Sequence, residues 1–245
     1  MHDFITVLEF LTRIRFTHRE KWSEEDFSRS VPYFPIVGLI IGAFLAAINY
    51  GLITIAVPDF LRAALLILAE IIITGGLMYD GYMDTSDGVF SARDRERKLE
   101  IMKDSHVGSN AVLAIIVLIL LKVSMYLAIT PEVLTYGLLS MSVATRTFMV
   151  LFIVNFPYAR KEGIGMLFKK YAKPSYTYIA FILGLIFIFL TGFKFFEIAI
   201  LTLIFTSIIA KYFCSLLGGL TGDTWGASTE CGNILFLLIT YFIFR

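Results

Sequence analysis

The sequence contains few cysteines, few histidines and little charge of either sign. Its 245 residues include two cysteines and three histidines, charged residues make up 17%, and the formal net charge is +1. Cys214 and Cys231 do not form a Cys-x-x-Cys pair, which argues against a disulfide framework and against a cysteine-ligated zinc site. Nucleic-acid binding requires a marked basic excess, so the balanced charge argues against a nucleic-acid partner.

Apolar residues are abundant instead, and they are grouped into long runs. Hydrophobic residues make up 58% of the chain, a share that indicates a multi-pass protein of the lipid bilayer. Runs long enough to cross the bilayer predict seven helices, at about 36–57, 60–79, 111–129, 133–155, 176–192, 197–217 and a last one ending at Phe244. That last helix has to begin near Trp225 and to contain Glu230. No composition shift separates a soluble domain, so residues 1–245 are predicted to form one all-α membrane bundle, with no signal for or against an oligomer.

The positions of the basic residues predict the orientation in the membrane. Most of the 21 Lys and Arg residues fall in 1–30, 80–110 and 156–175. Cytoplasmic loops retain positive charge, so the N-terminus and the two later basic segments are predicted to face the cytoplasm from the cell membrane. Apolar residues recur at helical spacing from Phe4 to Ile14, which predicts a short amphipathic helix at the cytoplasmic interface, followed by a loop.

Three carboxylates follow the second apolar run at a regular spacing. Asp80, Asp84 and Asp87 stand at positions i, i+4 and i+7, which places them on one face of a helix. Their mutual repulsion is relieved by a bound cation, and oxygen-only ligands favour Mg²⁺, which completes its shell with water and substrate phosphate. The spacing therefore predicts a magnesium site and a phosphorylated substrate.

The polar segment 80–110 is predicted to be a folded cytoplasmic loop rather than an ordinary solvated one. A capping box starting at Ser91 predicts a short surface helix over 91–103. The end of that helix would return Asp104 to the membrane surface where the first three carboxylates emerge.

A glycine-rich turn at 218–230 forms the second polar cluster. Backbone N–H groups in such turns can cradle phosphate, although close helix packing explains glycines equally well. Asp223 and Glu230 favour a functional role, because a loop used only for packing needs no acids.

Two basic residues fall within predicted spans. Arg146 lies near the middle of its span, so it is expected to face inward and to pair with a carboxylate such as Glu70. Lys122 lies nearer the outer end, so it is expected to extend its amine to the membrane surface and to have no role.

Taken together, these motifs resemble those of the adenosylcobinamide-GDP ribazoletransferase family, also called cobalamin synthase, along nearly the whole chain. The matching segments are Phe10-Leu-Thr-Arg13, Phe34-Pro-Ile-Val-Gly38, the run from Thr74 to Arg93, Met102-Lys-Asp-Ser105, Tyr158-Ala-Arg160, Glu162-Gly-Ile-Gly165, and Thr221-Gly-Asp-Thr-Trp-Gly-Ala227 with Glu230. The chain departs from the family pattern at Met78, where the family usually has histidine, and at Asn233, where it usually has an acid.

The resemblance implies a membrane transferase of the last steps of cobalamin (vitamin B12) biosynthesis. Such an enzyme joins adenosylcobinamide-GDP to α-ribazole, or to its 5′-phosphate, and releases GMP. The implied cofactor is Mg²⁺, with the ligands Asp80, Asp84, Asp87 and Asp104. The implied proton acceptor for the attacking hydroxyl is Asp104 or Asp223. His106 is expected to be an ordinary solvated histidine at the protein surface. The implied substrate-binding residues are Arg13, Arg93, Arg160, Gly222 and Glu230. Each of the three arginines is equally consistent with a basic residue that only anchors a cytoplasmic loop under the positive-inside rule.

Two other functions remain compatible with the acidic motif. CDP-alcohol phosphotransferases also place Asp-Gly and Ala-Arg ahead of further aspartates. Here Val-Phe-Ser separates Asp87-Gly88 from Ala92-Arg93, and the later Asp104 lacks the paired aspartates expected of that family. A cation transporter would also use membrane acids, but it would place them near the midplane rather than at one surface.

Overall fold

A computed structural model describes residues 2–16 and 23–245, without the side chain of Glu24. These residues form α-helices, one 3₁₀ turn at Val31–Tyr33 and one isolated β-bridge between Tyr158 and Leu220. The helices are α1 His2–Leu11, α2 Glu24–Ser30, α3 Phe34–Thr54, α4 Asp59–Thr74, α5 Leu77–Phe90, α6 Arg95–Ile101, α7 Ser109–Ala128, α8 Pro131–Asn155, α9 Ile164–Lys170, α10 Pro174–Thr191, α11 Phe193–Leu217 and α12 Gly222–Phe244. The all-α prediction is confirmed.

Six helical segments among the described residues are long and apolar enough to cross a membrane. They are the continuous run Glu25–Thr54, which ends in α3, and the helices α7, α8, α10, α11 and α12. Helices α4 and α5 pass that test only as a pair, which would be a seventh span bent by 94°. The expectation of one straight helix over 60–79 is therefore wrong. Its apolar run is interrupted at Gly75 and Gly76, whose φ angles of 66° and 73° are left-handed and suit glycine.

The acidic motif lies on a helix, α5, rather than in a loop. Helix α5 packs between α7 and α12. The surface helix after it, α6, begins later than predicted and without a capping box at Ser91. Its cap is Asp94, whose Oδ1 accepts the Arg97 N–H at 2.9 Å, whereas the Ser91 hydroxyl donates to the Gly88 carbonyl of the preceding helix at 2.7 Å.

The close contact between α5 and α12 depends on a glycine at its centre. A Cβ atom on Gly81 would lie 2.8 Å from the carbonyl oxygen of Asp223, so a larger residue would push the helices apart. Helix α12 begins at Gly222, close to the predicted start near Trp225. Its first turn is closed by a capping box, because Thr224 N–H donates to Thr221 Oγ1 at 3.2 Å and Thr221 N–H donates to Thr224 Oγ1 at 2.7 Å.

The apolar face of the N-terminal helix α1 is covered by protein. Leu11 is 1% exposed, and α1 packs against α2 and α3. The ring of Phe168, on α9, lies 4.8 Å from that of Phe10 and 5.7 Å from that of Phe34 between ring centroids. The predicted amphipathic helix is thus present, and it forms one wall of the bundle.

A buried ion-pair network lies in the interior of the bundle. Lys122 Nζ is 2.8 Å from Glu70 Oε2 and 2.7 Å from Glu230 Oε2, and it donates to the Tyr79 hydroxyl at 2.8 Å. The expectation that Lys122 reaches the membrane surface is wrong, because two carboxylates on α4 and α12 hold it inside. Glu70 therefore pairs with Lys122 rather than with Arg146, and the Arg146 guanidinium donates to Thr145 Oγ1 at 3.1 Å.

Candidate active site

Asp80, in the first turn of α5, lines three neighbouring cavities. The basic cavity, of about 540 Å³, includes Arg13, Arg15, Gly75 and Gly76. The acidic cavity, of about 310 Å³, includes Asp84, Asp87, Lys103, Asp104 and His106. The aromatic cavity, of about 270 Å³, includes Phe10, Phe34, Tyr158, Phe168 and Trp225 together with Arg160 and Asp223. One carboxylate is therefore shared by a cationic, an anionic and an apolar compartment.

The basic cavity combines two guanidinium groups with the N-terminus of α5. The Arg13 N–H donates to the Ile73 carbonyl at 2.7 Å, which fixes the chain after α1 against the end of α4. The N-cap of α5 is Gly76, and no side chain caps the helix there. Uncapped N–H groups at a helix N-terminus and two arginines together favour a phosphate ligand.

The aspartates of α5 share a face of the helix, as their spacing predicts, but their surroundings differ. Asp80 is exposed, Asp84 is half-buried and Asp87 is buried. Asp80, Asp87 and Asp223 all repel Asp84 electrostatically, whereas Arg160 attracts it. Asp84 therefore lies in an excess of negative charge.

Asp87 connects α5 to the start of α7. Its Oδ2 accepts the Gly108 N–H at 2.6 Å and its Oδ1 accepts the Ala111 N–H at 2.9 Å. A carboxylate in this position satisfies free N–H groups at a helix N-terminus and interacts favourably with the helix dipole. Asp87 thus has a structural role in addition to lining the acidic cavity.

Asp104 and His106 form an exposed pair at the rim of the acidic cavity. Asp104 Oδ1 accepts the His106 backbone N–H at 3.0 Å and lies 2.6 Å from His106 Nδ1. These hydrogen bonds from the backbone and the ring of His106 lower the pKa of Asp104. The same side-chain hydrogen bond raises the pKa of His106. Both shifts favour the ionised pair, which makes Asp104 a weaker base and favours the protonated form of His106, which cannot accept another proton.

The four predicted metal ligands are close together but are not assembled into one ligand set. Within 2–16 and 23–245, no group of three or more His, Cys, Asp or Glu side chains is placed to hold one metal ion. Asp87 is engaged by backbone N–H groups and Asp104 by His106. Asp80 and Asp84 line the same cavity, and two carboxylates that leave most of the shell to water and substrate phosphate suit Mg²⁺.

Arg160 and Asp223 form an ion pair at the edge of the aromatic cavity. Arg160 Nη2 lies 2.7 Å from Asp223 Oδ2, and their side chains are 13% and 24% exposed. The bridge between Tyr158 and Leu220 holds the two segments together, because the Ala159 N–H donates to the Leu220 carbonyl at 2.8 Å. The pair therefore occupies a fixed position next to Asp80.

The remaining predicted substrate residues are found in different places. Arg13 lines the basic cavity and Gly222 lines the aromatic cavity. Arg93 is exposed and lines none of the three cavities. Glu230 is fully buried in its ion pair with Lys122 and lines none of the three cavities.

One cavity residue was not singled out by the sequence, and the two departures from the family pattern lie in different places. Arg15 lines the basic cavity, and only its spacing of two residues from Arg13 hints at this. Met78, at the position where the family usually has histidine, is 5% exposed and lines the aromatic cavity beside Trp225. Asn233, at the other departure, is fully buried in α12.

The chain matches proteins of one family over nearly its full length. The family described as cobalamin-5-phosphate synthase (CobS) matches residues 3–241. The adenosylcobinamide-GDP ribazoletransferase of Clostridium novyi (strain NT) is 37% identical over 240 residues, which cover 97% of this chain and 96% of that protein. The enzyme of the same name from Desulfitobacterium hafniense (strain Y51) is 40% identical over 249 residues, with the same coverage. The Escherichia coli (strain K12 / DH10B) protein, again of that name, is 34% identical over 243 residues, covering 96% of this chain and 97% of its own. No solved structure matches the chain. The chain therefore belongs to the cobalamin-5-phosphate synthase family.

Proposed function

We propose that this protein is a membrane transferase that joins adenosylcobinamide-GDP to a ribazole, either α-ribazole or its 5′-phosphate, and releases GMP. The observation that carries the proposal is the shared position of Asp80 among the basic, acidic and aromatic cavities. A diphosphate, a divalent cation and an aromatic nucleoside each require one of these environments. The match to relatives named for this reaction supports the same activity.

The basic cavity suits the diphosphate of adenosylcobinamide-GDP. Arg13 and Arg15 bring two guanidinium groups to the uncapped N-terminus of α5. Guanidinium pairs and helix N-termini both stabilise phosphate oxygens through charge-assisted hydrogen bonds. Arg160, which lies on the other side of Asp80 in the aromatic cavity, is the third cation available to the phosphate that undergoes substitution.

Asp80 and Asp84 are the residues that would hold Mg²⁺, with Asp87 and Asp104 at the border of the same cavity. When bound there, Mg²⁺ would neutralise charge on the diphosphate oxygens. The repulsion of Asp84 by three neighbouring carboxylates supports this proposal, because a cation relieves it.

The reaction is a substitution at the phosphorus atom attached to cobinamide. The ribazole hydroxyl oxygen forms the new bond to that phosphorus, and the bond from phosphorus to the bridging oxygen breaks. GMP leaves with the bridging oxygen, and the hydroxyl proton passes to a carboxylate. We assign this proton acceptor to Asp223 rather than Asp104, because Asp223 lines the aromatic cavity with Asp80, whereas Asp104 lies at the exposed rim beside His106.

The site belongs to the cytoplasmic side of the cell membrane in this proposal. Each of the three basic segments, 1–30, 80–110 and 156–175, contributes residues to it, and the positive-inside rule places these segments in the cytoplasm. The N-terminus is cytoplasmic for the same reason. Both substrates would then be drawn from the cytoplasm rather than across the bilayer.

The direct test is nucleotide release by the purified protein in detergent or liposomes. With adenosylcobinamide-GDP, α-ribazole and Mg²⁺, we expect GMP together with a cobalamin product, and no release when Mg²⁺ is chelated. CMP release from a CDP-alcohol would instead favour the CDP-alcohol phosphotransferase. Cation flux without nucleotide turnover would favour the transporter.

The variant Asp84→Asn tests the proposed magnesium site within that assay. It retains nearly the same volume but loses a negative charge, so we expect a folded protein without Mg²⁺-dependent turnover. Asp94→Asn is the matched control, because it removes a carboxylate from the same segment and asparagine still caps α6. Full activity in Asp84→Asn would contradict the assignment of Asp84 as a magnesium ligand.

A further inference from the structure

Two of the helices that line the basic cavity meet at a bend whose backbone does not fix its own angle. Helix α4 ends at Thr74, α5 begins at Leu77, and the two are bent by 94°. Gly75 and Gly76 between them both have left-handed φ angles. Glycine has the widest range of backbone angles, so two in succession permit many bends. The observed angle therefore has to be set by contacts between side chains.

The Tyr79 hydroxyl makes a contact across this bend. It donates to Glu70 Oε2 at 2.9 Å, which joins α5 to α4. The same hydroxyl accepts from Lys122 Nζ, on α7, at 2.8 Å. Tyr79 is 6% exposed and Glu70 is 2% exposed, so water does not compete for these hydrogen bonds. Within the described residues, no other hydrogen bond joins α4 directly to α5.

The other close contacts of α5 connect it to different helices. Gly81 packs against the Asp223 backbone of α12. Asp87 accepts the Gly108 N–H at the start of α7. These contacts fix α5 against α7 and α12, whereas the contact of Tyr79 relates α5 to α4. Tyr79 also precedes Asp80 directly in the chain, so a displacement of one displaces the other.

The bend angle matters because the basic cavity has a wall on each side of it. The Arg13 N–H donates to the Ile73 carbonyl at 2.7 Å, so Arg13 is attached to the end of α4. Asp80 and the uncapped N-terminus of α5 lie on the other side of the bend. A change of the angle would alter the separation between this guanidinium and this carboxylate.

We propose that Tyr79 is a positioning residue, whose hydrogen bond to Glu70 holds Asp80 and the N-terminus of α5 in a fixed place relative to Arg13. This inference rests on the proposed function and adds a residue that acts through Asp80 rather than on the substrate. The Tyr79 hydroxyl belongs to the buried ion-pair network, while its residue lines the basic cavity. The network in the interior thereby sets the geometry of the site.

The variant Tyr79→Phe removes this hydroxyl and leaves the charges of the network paired. Lys122 Nζ still contacts both oxygens of Glu70, at 3.0 and 2.8 Å. Tyr126→Phe is the matched control. Tyr126 is 1% exposed on α7, interacts electrostatically with Glu70 and Lys122, and has a hydroxyl without a hydrogen-bond partner among the described residues. The control therefore removes the same group from the same region without affecting the bend.

The distance between two spin labels reports the bend directly, without substrate or Mg²⁺. Leu61→Cys and Phe90→Cys introduce labels at exposed positions near the far ends of α4 and α5, after Cys214 and Cys231 are replaced by alanine. The helices have 16 and 14 residues and are each about 20 Å long, so a change of about 10° moves the labels apart or together by roughly 3 Å. We expect a shifted or broadened distance distribution in Tyr79→Phe and an unaltered one in Tyr126→Phe.

Steady-state GMP release gives the second readout, in proteins without labels. We expect Tyr79→Phe to lower kcat about tenfold and to leave KM for both substrates nearly unchanged, because misplacing Asp80 affects the transition state more than substrate binding. Tyr126→Phe should retain the kcat of the unaltered protein. A merely stabilising hydroxyl would lower Tm without this split between kcat and KM.

Each alternative result counts against the role of Tyr79. An unchanged distance distribution in Tyr79→Phe would overturn the proposal at any level of turnover. An altered distribution with unchanged kcat would show that the bend does not govern the reaction. Equal changes in Tyr126→Phe, or a Tyr79→Phe protein that alone fails to give a monodisperse peak, would reassign the hydroxyl to general stability.

The unaltered protein separates this inference from the proposed function. If it releases no GMP, the proposed reaction is refuted, and the label distances still decide whether Tyr79 fixes the bend. If it releases GMP and the label distances are the same in Tyr79→Phe, only the role of Tyr79 is refuted.

Discussion

Replacing Lys122 with methionine should destabilise the bundle strongly, because Lys122 neutralises two carboxylates that have no access to water. Its Nζ lies 2.8 Å from Glu70 Oε2 and 2.7 Å from Glu230 Oε2, and all three side chains are at most 3% exposed. Methionine fills a similar volume and removes the positive charge. The Tyr79 hydroxyl also loses its interaction with Nζ, at 2.8 Å.

The size of the effect follows from the charges that remain. Removing one partner of a buried ion pair costs about 3–5 kcal/mol, because an uncompensated charge stays in the interior. For a chain of this length, about 1 kcal/mol corresponds to roughly 2–4 °C in Tm, so we expect Tm to fall by about 10 °C. Lys122→Met leaves Glu70, Glu230 and Arg146, which sum to one uncompensated negative charge. Adding Glu230→Gln restores neutrality, and the double variant should recover most of the lost Tm.

Thermal unfolding of detergent-purified protein measures both values, with loss of the monodisperse peak in size-exclusion chromatography as the readout. Lys194→Met is the matched control, because this lysine lies at the start of α11 over the ring of Phe244 rather than inside the network. An unchanged Tm in Lys122→Met would refute the buried ion pairs. A double variant less stable than Lys122→Met would refute the argument from charge balance.

Two further perturbations test the site. Gly81→Val should lower both Tm and turnover, because its Cβ would lie 2.8 Å from the Asp223 carbonyl oxygen and force α5 away from α12. Wild-type turnover in that variant would contradict the close contact between these helices. Asp104→Asn should lower the pKa of His106, measured by NMR titration, because Asp104 raises that pKa in the native protein. The pair is therefore stabilising between the usual carboxyl and histidine pKa values. It loses this contribution as the pH rises through the raised pKa of His106 or falls through the lowered pKa of Asp104. An identical His106 titration in both proteins would show that the pair does not form.

Local patterns in the sequence predict much of the fold and part of the site. The spacing of Asp80, Asp84 and Asp87 correctly predicts a shared helical face, because that geometry depends only on residues within one helix. The break before this helix was missed, because hydropathy averaged over 60–79 does not detect two glycines that turn the chain. The apolar composition is retained across the bend, so only the backbone angles reveal it.

Contacts between distant residues explain what the sequence did not reveal. Lys122 was expected at the membrane surface, but its environment is set by Glu70 and Glu230, which lie 52 positions before it and on the last helix, respectively. Asp87 caps α7 through the N–H of Gly108, 21 residues later. The Trp225 N–H is buried without a hydrogen-bond acceptor, and this depends on the positions of all the side chains around it. None of these contacts leaves a periodic signal in the sequence.

The measurement that tests the central claim most directly is the stoichiometry of product formation by the protein in liposomes. With adenosylcobinamide-GDP, α-ribazole and Mg²⁺, we predict one GMP released for each cobalamin product formed, and neither product with Asp80→Asn, which alters the carboxylate shared by the three cavities. GMP release without a cobalamin product would indicate hydrolysis rather than transfer. Equal turnover by Asp80→Asn and the unaltered protein would contradict a reaction centred on Asp80.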